Sequence, residues 1–437
     1  MAASEIEVIP ARHPLDAAVS VPGSKSITNR ALILAAMAHG RSTINAALLS
    51  DDTRHMAAAL ATLGFAVAVD ETGRRITVEG RGGAIPSTGA DLYVGGAGTA
   101  MRFLAAFVTL GRGRFRIDGN QRMRMRPIGA LLEALARLGV EARSERSDGC
   151  PPVIIDTTKA PCMGGVVTID ASLSSQFVSA ILMPAPLWPG GLALTVIGET
   201  ARPFIEMTTR LMERWGVHRT IDGDTIVVPG GQRYRNCDFT VEPDASSASY
   251  FAAAAALIGG TVTIRGLARD SVQGDIGIFA ILARMGARVR WGSDFVQVTG
   301  TGQLTGVDVE MNAMPDMVPT LAAIAPFASS PTHIRKVGFI RYHESDRIRV
   351  LATELGRIGA TVRELDDGLE IEPSALHSAA IETYDDHRIA MAFAVAGLRI
   401  AGMRIKYPGC VAKTYPEFFA DLAALTRGAP PPGGLAN

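Results

Sequence analysis

The sequence predicts an α/β protein assembled from six copies of a unit of about 70 residues. Two interleaved series of landmarks carry that prediction. Five amphipathic runs each end in an apolar residue plus Gly: Leu63-Gly64, Leu138-Gly139, Trp215-Gly216, Met285-Gly286 and Ile358-Gly359. These glycines lie 75, 77, 70 and 73 residues apart, and glycine in the left-handed conformation is the usual helix stop. Six Ala-rich apolar segments each open on a polar cluster, anchored at Ser24, Gly98, Ser174, Asp244, Asp316 and Asp386. Their spacings are 74, 76, 70, 72 and 70 residues, so six periods account for the whole length.

The Ala-rich segments read SKSITNRALILAAMA, GAGTAMRFLAAFV, SSQFVSAILMPA, DASSASYFAAAAAL, PDMVPTLAAIAPFA and DDHRIAMAFAVAGL. A helix that is apolar all round is a buried helix. Each is followed by a short β-like run, in order STINAAL, RFRIDGN, LALTVIG, TVTIRGL, THIRKVG and MRIKYPG. Next come amphipathic stretches such as HMAAALATLG and IGALLEALARLG, which close on the glycines above. The unit therefore runs buried helix, strand, loop, amphipathic helix, strands. It is longer than common solenoid repeats, which favours compact lobes over a rod.

At 437 residues and 46.0 kDa the chain has room for two to four domains. Its formal net charge of zero argues against a general nucleic-acid binder. Hydrophobic content of 47% with 20% charge argues against a disordered chain. Cys150, Cys162, Cys237 and Cys410 have no zinc spacing and read as free thiols, with a Cys150–Cys162 bridge left open. The N-terminus MAASEIEVIPARHP lacks the apolar core of a signal peptide. The uncharged run from Ala171 to Gly198 is interrupted by Pro184, Pro186, Pro189, Gly190 and Gly191, which argues against a membrane helix. A soluble, cytoplasmic protein is expected, with Gly428 to Asn437 as a disordered tail.

The polar clusters all fall at the N-terminal ends of buried helices, where unpaired N–H groups and a partial positive charge collect. Ser24, Ser174, Asp244 and Asp386 read as N-caps. Caps do not explain the cations beside them: Lys25 and Arg30, Arg102, and Arg388 next to His387. A cation there opposes the helix dipole unless an anion binds. Lys25, Ser26 and Arg30 fit a phosphate or carboxylate site, and Gly95, Gly96 and Gly98 let backbone approach a ligand closely. Arg112, Arg114 and Arg116 alternate as on one strand face, as a solvated face also would. Arg126 precedes Pro127, which opens the next helix, and resembles a second anion clamp. The run from Tyr342 to Arg347 opens an outer helix, and Lys413 also precedes one. Glu242, Asp244, Asp316, Glu344, Asp346, Asp385 and Asp386 are candidate acids and bases. Two anion sites plus carboxylates suggest a transferase acting on two phosphorylated or carboxylated small molecules.

At these same residues the sequence closely resembles the 5-enolpyruvylshikimate-3-phosphate synthase family. The matching stretches are Pro22–Arg30 (PGSKSITNR), Ser50–His55 (SDDTRH), Ala97–Arg102 (AGTAMR), Arg126–Ile128 (RPI), Ser174–Gln176 (SSQ), Asp244–Tyr250 (DASSASY), Pro315–Asp316, Glu344–Arg347 (ESDR), Asp386–Arg388 (DHR) and Ala412–Thr414 (AKT). The resemblance implies transfer of the enolpyruvyl group of phosphoenolpyruvate to the 5-hydroxyl of shikimate 3-phosphate, with release of phosphate. That is a step of the shikimate pathway to the aromatic amino acids, and the target of glyphosate. It also implies the enolpyruvyl transferase fold: two pseudo-threefold lobes, 22–242 and 1–21 with 243–437, joined by crossovers near 21 and 242, with substrates in the cleft.

By the same resemblance Lys25, Gly98, Arg126, Arg347, Arg388 and Lys413 bind phosphoenolpyruvate. Lys25, Ser26, Arg30, Ser174, Ser175, Gln176, Asp316 and His343 bind shikimate 3-phosphate. Asp316 is the base for the 5-hydroxyl, Glu344 handles the proton at the methylene carbon, and Lys25 stands by as proton donor. Addition and elimination pass through a tetrahedral intermediate, with no metal, no cofactor and no covalent adduct, in a monomer without nucleic-acid or membrane partners. Clustered cations suit that chemistry, because preorganised positive charge stabilises the leaving phosphate.

Five positions depart from the family pattern: Gly96, Phe103, His343, Ala201 and Phe204. His343 can offer a hydrogen bond, or a charge if its pKa is raised. The unsubstituted Gly98 predicts sensitivity to glyphosate. Two other readings compete. An enolpyruvyl transferase for UDP-N-acetylglucosamine shares the fold but usually carries a reactive Cys where this chain has Asp118 to Arg126 (DGNQRMRMR). An inactive anion-binding repeat protein would not need Asp316 and Glu344. A metal held by Asp385, Asp386 and His387 is disfavoured by Arg388 beside them.

Overall fold

The computed structural model describes residues 4–427; the tail expected at Gly428 to Asn437 lies outside them. The chain forms two compact units. One is Gly23–Val241, and the other joins the residues up to Pro22 to those from Glu242 onward. Among the described residues each holds three pairs of α-helices and three small sheets.

In the first unit the buried helices are α1 (Lys25–Met37), α3 (Gly98–Phe107) and α5 (Ser175–Leu182). Their amphipathic partners are α2 (Asp51–Thr62), α4 (Gly129–Arg137) and α6 (Arg202–Arg214). In the second unit the same alternation gives α7 (Ala245–Ile258), α8 (Gly277–Arg284), α9 (Val318–Ile324), α10 (Arg347–Arg357), α11 (His387–Gly397) and α12 (Phe418–Arg427). Every residue of α3, α9 and α11 is buried, as is every residue of α7 but Ile258. Alanine suits this, since it costs no side-chain entropy and lets backbones approach. A Cβ at Gly80 would overlap the carbonyl oxygens of Ala35 and Ala38, and one at Gly300 would overlap that of Ala255. The sheet strands pass that close to the helices they cover.

The five predicted stops, Gly64, Gly139, Gly216, Gly286 and Gly359, all have φ between 87° and 109°. Each of the six β-like runs becomes a strand next to the strand that opens its sheet. Gly89–Tyr93 runs parallel to Arg114–Asp118, for example, with Val153–Asp156 and Glu141–Ser144 following antiparallel. Three sheets borrow a strand from elsewhere. Asp238–Thr240 completes the first repeat's sheet beside His39–Asn45. Leu15–Val19 pairs with Gly260–Arg265, and Glu5–Glu7 with Arg404–Lys406. Those last two pairings are why the N-terminal segment belongs to the second unit.

Three local expectations change. Ser24 stands at the N-cap of α1, but its hydroxyl makes no cap bond; it is buried with no hydrogen-bond partner. Ser174, Asp244 and Asp386 do cap, accepting from the N–H of Gln176, Ser247 and Arg388. Helix α4 opens at Gly129 rather than Pro127, because Ile128 takes the non-helical cap position. Arg112 precedes the strand Arg114–Asp118, so only Arg114 and Arg116 share its face, and Arg116 pairs with Glu145 and Asp118 as a solvated face would. The four cysteines are free. The run from Ala171 to Gly198 folds as α5, a short turn and a strand, and no described helix is long and apolar enough to cross a membrane.

Candidate functional site

The first unit gathers its candidates at the starts of α1, α3 and α5. Lys25 opens α1 and its Nζ lies 3.4 Å from Asp52 Oδ2 on α2. One turn on, Arg30 is 2% exposed. Its Nε donates to Thr208 Oγ1 at 2.7 Å, Nη1 to Ser26 O at 2.9 Å, and Nη2 to Ser179 Oγ and Phe204 O at 3.2 Å. The Phe103 ring lies beneath, 5.1 Å from Cζ. All these partners are neutral, and burial pulls the guanidinium down to about 9. A buried cation without a counter-ion is costly, so Arg30 is suited to an anionic ligand. The departures at Phe103 and Phe204 are thus part of its seat, one as a ring and the other as a carbonyl.

Gly98 opens α3 against Arg126: a Cβ there would fall 2.6 Å from Nη1 and 2.8 Å from Nη2. Arg102, one turn on, donates to Gly98 O at 3.2 Å and Pro127 O at 2.8 Å, tying α3 to the segment that carries Arg126. At α5, Gln176 Nε2 reaches Thr99 Oγ1 at 3.4 Å, and Ser175 beside it is buried. The structure thus links Gln176 to α3 and Arg30 to α5 within one unit.

The second unit gathers Asp316, His343, Glu344, Arg347, Arg388 and Lys413. Arg347 opens α10 and is fully buried. It donates to Asp386 from Nε at 2.9 Å and Nη2 at 3.2 Å, to Asp316 Oδ1 from Nη1 at 2.9 Å, and to Glu344 Oε2 from Nη2 at 2.9 Å. Burial alone would lower its pKa, but Asp386, Glu344 and Asp316 hold it well above the usual value. Arg388, in the first turn of α11, donates from Nη2 to Asp316 Oδ2 at 2.7 Å. Its pKa too is raised, burial being outweighed chiefly by Asp316. Lys413 Nζ donates to Glu344 Oε1 at 3.1 Å. His343 Nδ1 lies 3.2 Å from Arg347 Nη1. A guanidinium only donates, so in this contact the imidazole nitrogen is the acceptor.

Four of these cations therefore have internal anions, Asp52 for Lys25, Asp316 and Asp386 for Arg347, Asp316 for Arg388 and Glu344 for Lys413, whereas Arg30 has neutral partners. Asp316, whose side chain is 21% exposed, touches two guanidinium groups at once. Sequence reasoning missed Asp52 as the partner of Lys25, although SDDTRH contains it. It also missed Ser179, Thr208, Ser246 and Asp275, whose surroundings are set by distant helices. Among the described residues no three His, Cys, Asp or Glu side chains gather as metal ligands. Asp386 instead caps α11 and binds Arg347.

A family model described as EPSP synthase (3-phosphoshikimate 1-carboxyvinyltransferase) matches residues 9–422. The 3-phosphoshikimate 1-carboxyvinyltransferase of Trichormus variabilis is 47% identical over 94% of this chain and 97% of its own. That of Cronobacter sakazakii is 43% identical over 95% and 97%. Among solved structures, EPSP synthase from Acinetobacter baumannii superposes with a TM-score of 0.80 at 26% identity, covering 98% of both chains. The enolpyruvyl transferase NikO from Streptomyces tendae shares the fold, with a TM-score of 0.74 at 22% identity over 95% and 96%. Fold and side chains together define a transferase of the enolpyruvyl class. Within that class the chain belongs to the EPSP synthase family.

Proposed function

We propose that the chain carries out the family's reaction with the residues described above: attack of the 5-hydroxyl of shikimate 3-phosphate on phosphoenolpyruvate, then loss of phosphate. Asp316 takes the hydroxyl proton. Glu344, held by Arg347 and Lys413, handles the proton at the methylene carbon, with Lys25 as donor. Lys25, Gly98, Arg126, Arg347, Arg388 and Lys413 hold phosphoenolpyruvate. Ser26, Arg30, Ser174, Ser175 and Gln176 hold shikimate 3-phosphate, with Lys25, Asp316 and His343 at the same substrate. The residues 22–242 act as one lobe, and 1–21 with 243–437 as the other, in a cytoplasmic monomer.

The observation that carries this reading is Asp316, a partly exposed carboxylate shared by Arg347 and Arg388. A carboxylate can take a proton, and the two guanidinium groups beside it would stabilise the phosphate that leaves. The test is phosphate release from phosphoenolpyruvate in metal-free buffer. Release is expected only with shikimate 3-phosphate present. Release that instead required UDP-N-acetylglucosamine, or none with folded protein, would overturn the reading.

A further inference from the structure

Asp275 is a buried carboxyl that the proposed reaction does not use. It sits in the turn Gly274–Ile276 leading into α8 and is 4% exposed. Gln273 locks that turn to the start of α7: its Oε1 accepts from Ala245 N at 3.0 Å and its Nε2 donates to Pro243 O at 2.8 Å. Asp275 Oδ2 accepts from Ser246 Oγ at 2.8 Å, while Oδ1 is buried with no hydrogen-bond partner. Ser246 Oγ also lies 3.4 Å from Arg388 Nη2, the nitrogen that holds Asp316 Oδ2 at 2.7 Å. One nitrogen and one hydroxyl thus connect the two carboxyls.

We propose that Asp275 is a positioning residue, a buried acid that keeps a proton on Oδ1 and so leaves Arg388 to Asp316. The proposal rests on the reading of Asp316 as base. A buried carboxylate facing a second one is costly, and when two acids share a neighbourhood one of them holds its proton. Burial first, then the charge of Asp316, push Asp275 up to about 7; Arg388 and the Ser246 bond pull it down, and Asp244 adds to the rise. Helix α8 contributes one ionisable side chain, Arg284 at its end, which donates to Asp308 O. Asp316, more exposed and gripped by two guanidinium groups, is the member that ionises. Once Asp275 also ionises, a second negative charge faces Arg388. It competes with Asp316 and with an anionic substrate, so kcat/KM falls as pH rises through neutrality.

Two measurements test this on the full chain: carbon NMR of the aspartate carboxyls, and kcat/KM between about pH 5 and 9. One carboxyl should titrate near neutrality and vanish in Asp275→Asn. In Ser246→Ala it should titrate at higher pH, because the lost bond stabilised the charged form. In the wild type kcat/KM should fall about tenfold by one pH unit above that inflection, and Asp275→Asn should abolish the inflection. A near-neutral carboxyl that survives in Asp275→Asn, or one unmoved in Ser246→Ala, would overturn the proposal. So would an alkaline limb that Asp275→Asn leaves in place. Should Asp275→Asn not fold, Ser246→Ala decides alone. Absence of any turnover at every pH would count against the reaction, and the NMR titration would still judge Asp275.

Discussion

Arg347 grips both oxygens of Asp386, from Nε at 2.9 Å and Nη2 at 3.2 Å, with both side chains out of solvent. The same carboxylate caps α11 and accepts from Ser345 Oγ at 2.9 Å. One side chain thus joins the first residue of α10 to the first turn of α11. Removing it takes the bidentate partner from a buried guanidinium and the cap from a helix together. Asp386→Ala should cost about 3–5 kcal/mol in denaturant unfolding, the usual penalty for breaking a buried pair from one side. A cost below about 1 kcal/mol would mean that Asp316 and Glu344 suffice for Arg347.

Lys25→Met should lower kcat/KM by more than about tenfold, a cost above about 1.4 kcal/mol. The change removes an anion contact and a proposed proton donor, and leaves Asp52, which is 2% exposed, without its partner. Steady-state kinetics that retain more than a tenth of wild-type kcat/KM would contradict the role.

Asp316→Asn should lower kcat by about 10²–10⁴-fold, the usual worth of a general base, with a smaller change in KM. The amide keeps the shape of the carboxylate but cannot take the proton. An unchanged kcat would place the base elsewhere.

Arg30→Met should separate stability from binding. Arg30 has neutral partners only, and replacing an unpaired buried cation by an apolar side chain is often neutral or stabilising. Thr208 and Ser179 remain bonded to each other, at 2.8 Å. The melting temperature should hold or rise while KM for shikimate 3-phosphate rises at least about tenfold. A large loss of stability with unchanged KM would make Arg30 a structural residue.

Gly98→Ala should raise both KM for phosphoenolpyruvate and the glyphosate inhibition constant. Its Cβ would lie 2.6 Å from Arg126 Nη1, so the guanidinium must shift. An inhibition constant equal to that of the wild type would reject both this displacement and the expected sensitivity.

Much of the site was legible because its motifs are local. Lys25 and Ser26, Glu344 and Arg347, or Asp386 and Arg388 are near neighbours in the chain, at the starts of helices. Their partners were not legible. Asp386 lies 39 positions from Arg347, and Thr208 lies 178 from Arg30. No spacing rule connects residues so far apart.

The sequence by itself determined the sixfold period, the six buried helices and the five glycine stops, because helix periodicity and left-handed turns depend on neighbouring residues. Only the tertiary structure decided that Asp316 serves two arginines, that Arg30 sits among neutral oxygens, and that Asp275 lies one hydroxyl from Arg388. Those arrangements set the charge state of each group. They arise from how separate helices pack, since burial and the distance between charges belong to the folded chain.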